Sequence, residues 1–246
     1  MSGHSKWAQI KRKKEASDAK KGQLFTKLAS AITLAVKERG ESPKQNFKLR
    51  LALEKARAAN MPKESINRAI KKGLGKESNN LETITYEAYG PGGIALLIEA
   101  ETDNKNRTTS EVRRILEQNK ASLADSGSVK WLFKKIGFIK IEFRTNKLSK
   151  EDIELLAIDK GAENIESRNN SIEITSPPEK VEEIKEALSE KGIKIKSAFL
   201  KWSPVNTVTL KDDDKKKLGE LIDALKKNED VARIYHNAKS VQEDLA

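Results

Sequence analysis

The first 76 residues hold 20 Lys and Arg against 6 Asp and Glu, a formal charge of +14. Residues 77–246 hold 28 against 31, so the whole excess of a +11 chain sits in its first third. A segment this cationic stays compact only by burying apolar faces of small elements and leaving its charges outside. It also points to a partner, because a one-sided basic module beside near-neutral ones is the footprint of a polyanion binder. A solvated basic surface kept for solubility is the competing explanation. With 246 residues and 37% hydrophobic content, several small domains fit better than one large core.

Other classes fall away quickly. There is no cysteine, hence no disulfide framework, thiolate zinc site, iron–sulfur cluster or thiol nucleophile. Two histidines, His4 and His236, leave little for metal chemistry. The longest apolar block, about Gly93–Ile98, is far below the ~18 residues of a membrane span. Met1–Lys14 is basic and free of acids, but Thr26, Lys27 and Ser30 interrupt the apolar stretch Leu24–Val36, and Glu15 and Asp18 argue against a transit peptide. The chain reads as a mature cytoplasmic protein.

Lys6, Trp7, Lys11, Arg12, Lys13, Lys14, Lys20 and Lys21 crowd a stretch without a clear period, read as ordered only against a helix or a partner. The Trp7 ring has two readings: stacking on a base, or anchoring the tail on the helices behind it. Leu24, Leu28, Ala31, Ile32, Ala35 and Val36 then mark a helix face ended by Gly40. Leu49, Ala52, Leu53, Ala56 and Ala59 mark a second. Pro62 opens a third, with Ile66, Ala69 and Ile70 inward, Arg68, Lys71 and Lys72 outward, and Gly73 as its expected stop. The segment 1–76 is thus an N-terminal three-helix domain whose lysine-rich surface suits phosphate contacts. A helix-turn-helix is a weak signal here, with Asn67 and Arg68 the only candidate base readers.

Beyond Gly75 strands alternate with helices. Thr83–Tyr86 and Gly93–Glu101 read as a hairpin around Pro91-Gly92-Gly93. Arg107–Gln118 reads as helix and Ser128–Phe133 as strand. Residues 137–202 spell β-α-β-β-α-β, the ferredoxin-like unit. Deleting them leaves a second such series, closed by a strand at Thr207–Leu210, a helix at Asp212–Lys227 and a strand at Val231–His236. The expected fold class is α+β: the helical domain followed by two ferredoxin-like α/β domains, one (137–202) inserted in the other (79–134 plus 204–246). Tyr86, Tyr89, Trp131, Phe133, Phe138 and Phe143 are read mostly as core packing, since no RNA-recognition signature accompanies them.

Catalytic patterns are absent. Gly73-Leu74-Gly75-Lys76 fails as a phosphate loop, because Ile70 stands where a glycine is needed and Glu77 where Ser or Thr should follow. Asp212-Asp213-Asp214 suits a helix N-terminus better than a cation. No cofactor, metal or catalytic residue is expected. One polar cluster, Asp103, Asn104, Asn106, Arg107 and Thr108, joins a strand to a helix; it is a candidate anion-holding loop, with ordinary turn and capping chemistry favoured.

Ordered motifs along the chain resemble the YebC family. They are Met1–Trp7, Asp18–Gly22, Phe25–Leu28, Asn60–Lys63, Arg68–Gly73, Tyr86–Gly93, Thr102–Thr108, Gly127–Val129 and Val231–Ala238. Lys105 departs from the arginine usual at its position, and Asn119-Lys120 from a usual Gly-Gly. The resemblance implies a three-domain fold and a non-enzymatic role in gene expression. Two roles follow from it: a DNA-binding transcriptional regulator, or a ribosome-associated translation factor that contacts ribosomal RNA and tRNA and eases stalls at proline-rich stretches.

Overall fold

The computed structural model describes residues 6–75, 81–142, 149–168 and 171–239, with side chains from Asp18 onward apart from Ala19 and Arg168. The chain forms two compact units, residues 1–129 with 208–246, and residues 130–207.

The first unit opens with three helices: α1 (Lys6–Arg39), α2 (Phe47–Ala58) and α3 (Lys63–Leu74). Helix α1 is longer than the sequence periodicity suggests. It is continuous for 34 residues, because Lys, Ala, Gln and Glu are good helix formers and Gly22 is the only breaker within it. The apolar pattern reported only the packed portion. The first buried residue among those described is Leu28, and Ile32, Ala35 and Val36 join Leu49, Leu53, Ala56, Met61, Ile66 and Ala69 in one core. Asn46 caps α2 by accepting the Leu49 amide at 3.0 Å, while its own amide donates to the Ala35 and Gly40 carbonyls. Gly73 does not stop α3. It lies inside the helix, where an added Cβ would stand 2.7 Å from Val36 Cβ and 2.8 Å from the Thr33 carbonyl oxygen. The glycine is there to let α1 and α3 approach, and Gly75 provides the cap.

The first sheet contains β1 (Glu82–Tyr89), β2 (Ala95–Thr102), β3 (Ser122–Leu123) and β8 (Val231–His236), in the order β3-β1-β2-β8 and antiparallel throughout. Helices α4 (Lys105–Gln118) and α7 (Asp212–Lys226) cover one face, burying Leu96, Ile98, Val112, Leu116, Leu218, Leu221 and Leu225. This is ferredoxin-like order with a substitution of source. The position expected for Thr207–Leu210 is taken by β1, which precedes the other strands. The eight-pair hairpin of β1 and β2 around Pro91–Gly93 is local and long, whereas Val208 makes only an isolated bridge to Ala238 before α7 begins. Ser128–Phe133 is not a strand of this sheet either: Lys130–Leu132 is a 3-10 turn, and Phe133 starts a strand of the second sheet.

The second unit interrupts the first. It contains β4 (Phe133–Glu142), α5 (Lys150–Asp159), β5 (Asn164–Arg168), β6 (Ser171–Ser176), α6 (Val181–Glu190) and β7 (Ile195–Pro204), with sheet order β5-β6-β4-β7. Every pairing is antiparallel, the order of a ferredoxin-like sheet. Ile139, Ile141, Ile172 and Ile174 share its interior with Ile153 and Ala157 of α5 and Ile184 and Leu188 of α6, all essentially buried.

Candidate nucleic-acid interface

The residues selected from sequence in the basic module divide into three groups. Lys6, Trp7, Lys11, Arg12, Lys13 and Lys14 lie on the backbone of α1, and their side chains fall outside the described residues. Lys20 and Lys21 are exposed further along the helix, with the Lys21 ammonium 5.6 Å from the centre of the Phe25 ring. Arg68, Lys71 and Lys72 are exposed together on α3, opposite its buried Ile66, Ala69 and Gly73. The second and third groups are not brought together. Helix α3 crosses α1 at Thr33, whose hydroxyl donates to the Ala69 carbonyl at 3.1 Å. Lys21 lies twelve residues earlier, roughly 18 Å along the axis. The arrangement is a line of charge along one long helix and a patch on another.

Part of this set lacks neutralising partners. Among the described residues, Lys20, Arg68, Lys71 and Lys72 pair with no carboxylate, whereas Lys48 engages Glu38 at 2.5 Å. Like charges three or four apart destabilise an isolated helix, so a run such as Arg68, Lys71 and Lys72 is relieved when an anion binds. Asn67 is exposed beside Arg68 on the same helix, and the α2–α3 connection spans only Ala59–Pro62, with Asn60 at φ 56°.

Two lysines of α1 serve instead to seat the helices. The Lys27 ammonium donates to the Lys226 carbonyl at 2.9 Å, and burial, followed by repulsion from Lys226, lowers its pKa. Lys37 donates to the Leu81 carbonyl at 2.9 Å.

The polar loop after β2 is brought together, but largely around itself. Asn104 caps α4 by accepting the Arg107 amide at 3.1 Å, and Thr102 Oγ1 accepts the Asn104 amide at 2.9 Å. Thr108 is buried, and its hydroxyl donates to Asp230 Oδ2 at 2.6 Å. Arg107 bridges Asp103 and Asp230, each at 3.1 Å; the bond to Asp230 is the main reason its pKa is raised. These residues tie the β2–α4 junction to the segment entering β8. Asn106 points elsewhere, into an open depression on α4 shared with Thr109, Ser110, Arg113, Arg114 and Glu117. Arg113 and Arg114 are both exposed there, and their only signal in the sequence is adjacency on the polar arc of a strongly amphipathic helix.

Among the described residues there is no cluster of three or more His, Cys, Asp or Glu placed to hold a metal, and no helix long and apolar enough to cross a membrane.

Comparison with known proteins agrees along nearly the whole chain. Residues 5–76 match a family model described as TACO1/YebC protein N-terminal domain, and residues 81–238 one described as TACO1/YebC second and third domain. A probable transcriptional regulatory protein of Thermoanaerobacter pseudethanolicus is 47% identical over 245 residues, 99% of both chains. One of Geobacillus kaustophilus is 45% identical over 238 residues, 96% of this chain and 97% of its own. The crystal structure of a conserved hypothetical protein of Aquifex aeolicus superposes with a TM-score of 0.80 at 38% identity, covering 93% of this chain and 94% of that one. The chain belongs to the TACO1/YebC family.

Proposed function

We propose that the protein is a non-enzymatic, nucleic-acid-binding regulator of gene expression, a DNA-binding transcriptional regulator that grips phosphates through its helical module, residues 1–76. The observation that carries this is the unneutralised face of α3, where Arg68, Lys71 and Lys72 stand exposed without carboxylate partners among the described residues. The N-terminal part of α1 extends the same charge, with Lys6, Lys11, Arg12, Lys13, Lys14, Lys20 and Lys21 along one helix. Asn67 and Arg68 are of the types that read adenine and guanine edges. The names of the relatives as probable transcriptional regulatory proteins support the same reading.

A ribosome-associated translation factor is the second reading. The length of α1 favours it: 34 residues make a rod of roughly 50 Å, cationic toward its start, suited to tracking an irregular phosphate surface such as ribosomal RNA. One paired experiment separates the two. Lysate is fractionated for co-sedimentation with ribosomal particles, and the purified chain is titrated with promoter fragments against competitor DNA. Promoter binding far above competitor, with the protein absent from the ribosomal fractions, supports the regulator. Salt-sensitive co-sedimentation without promoter preference supports the translation factor.

A further inference from the structure

In the second unit the helices are acidic and one pair of strands is basic, although Lys134, Lys140 and Lys196 of that pair are matched by Glu163, Glu173 and Glu142. Its helices α5 and α6 carry eight Asp and Glu against two Lys. Its adjacent strands β4 and β7 carry five Lys against one Glu. At one end of that strand pair lies an aromatic group. Lys135 stands directly opposite Trp202 in the β4–β7 register, and its ammonium is 5.9 Å from the centre of the Trp202 ring. The Lys130 ammonium lies 5.4 Å from the same ring. Trp131 follows Lys130 in the same 3-10 turn and is 71% exposed, the most exposed large hydrophobic residue among those described. A tryptophan in a core hides its ring; this one presents it to solvent, contrary to the core role expected from sequence.

We infer that this cluster is a second nucleic-acid contact, a platform on which an unpaired base stacks against Trp131 while Lys130 and Lys135 hold the adjoining phosphates. The inference rests on the nucleic-acid reading above and adds to it the kind of strand bound. The Lys130 and Lys135 ammonium groups each lie near the Trp202 ring, so a phosphate chain passing that ring meets two cations. The contacts they make with Trp202 are of the weak, exposed kind and yield readily to an anion. Residues 130–135 and 194–204 contain no acid, so nothing in either segment opposes a phosphate chain. Lys134 is set apart, since it pairs with Glu163 at 3.3 Å. Because stacking uses the face of a base, it excludes an intact duplex. Lysines beside an exposed ring are the pattern of single-strand sites, and an unpaired stretch of either RNA or DNA presents the same chemistry.

The test uses the full chain and three labelled probes: an oligo-U and an oligo-dT of about ten nucleotides, and a duplex of equal length. Binding is followed by fluorescence anisotropy at fixed moderate salt. Trp131→Ala is expected to weaken single-strand binding by about 5- to 100-fold, with duplex binding unchanged within twofold. Trp131→Phe should retain most of the affinity, which a mere loss of fold would not allow. Changing Lys130 and Lys135 to Gln should lower the salt slope for single strands by about 1.4. Loss on either oligonucleotide supports the inference, and their ratio identifies the source. If Trp131→Ala binds all three probes as the wild type does, or if the wild type binds the duplex but neither oligonucleotide, the stacking platform is overturned and the proposed function stands. If Trp131→Ala instead alters self-association without nucleic acid, the ring is a protein contact and the inference fails. Failure of the wild type to bind any probe overturns both readings.

Discussion

Glu87, buried in β1, accepts the backbone amide of Val129 through Oε2 at 2.8 Å, and its other oxygen takes the Gly127 amide at 2.7 Å. Val129 is the last residue before the chain leaves the first unit. On return, the Val208 amide donates to the Asn237 carbonyl at 2.7 Å, and Asn237 Oδ1 accepts the Ala95 amide at 2.9 Å. Exit and re-entry are both pinned to the first sheet. Glu87→Ala strands the buried Val129 amide and releases the exposed Gly127 amide to water, and should cost about 2 kcal/mol in urea unfolding, while Glu87→Gln, retaining one acceptor, should cost less.

Gly73 sets helix propensity against packing. Replacing glycine with alanine inside a helix ordinarily gains about 1 kcal/mol. Here the new Cβ meets Val36 Cβ and the Thr33 carbonyl oxygen at under 3 Å, so α1 and α3 must separate. Gly73→Ala should therefore destabilise the protein by about 1–2 kcal/mol in chemical denaturation. A stabilised variant would show that the close approach of the two helices is not required.

Glu101 gives stability a pH dependence. Burial raises its pKa to about 7; Arg233 and Lys48 oppose the shift, while Glu99 and Glu38 add to it. A carboxyl group that holds its proton more tightly when folded makes the folded state bind more protons between its ordinary pKa, near 4.5, and 7. Stability from this group is then full below about pH 4.5 and falls as pH rises toward 7. Glu101→Gln should flatten that slope and stabilise the protein at pH 8 by about 2 kcal/mol, read from thermal or urea unfolding across pH.

Much of the architecture was legible because it is written in local periods. The faces of α2 and α3, the hairpin at Pro91–Gly93 and the β-α-β-β-α-β series of the inserted segment follow from hydrophobic spacing and turn residues. The errors arise where distant contacts decide. Thr207–Leu210 has strand-like composition, yet β1 already occupies the position beside β2. Gly73 looks like a terminator until α1 is packed against it. Apolar periodicity cannot report the first half of α1, whose residues are overwhelmingly polar. Of the candidate site, the residue types were legible and their grouping was not. Turn and capping chemistry around Arg107 and Thr108 is legible locally, but their partner Asp230 lies more than 120 residues away. The exposure of Trp131 is not legible, because sequence alone does not say which of six strand aromatics leave the core.

A helical module that grips a phosphate chain makes nucleic-acid binding depend on salt through its own cations. Arg68, Lys71 and Lys72 are replaced together by Gln, which removes three charges from an exposed face and leaves Ile66, Ala69 and Gly73 untouched. Duplex affinity is measured over a range of salt concentrations for this variant and the wild type. The variant should bind more weakly, with a slope of log K against log salt shallower by about 2–3. A correctly folded variant with the wild-type affinity and slope would contradict it.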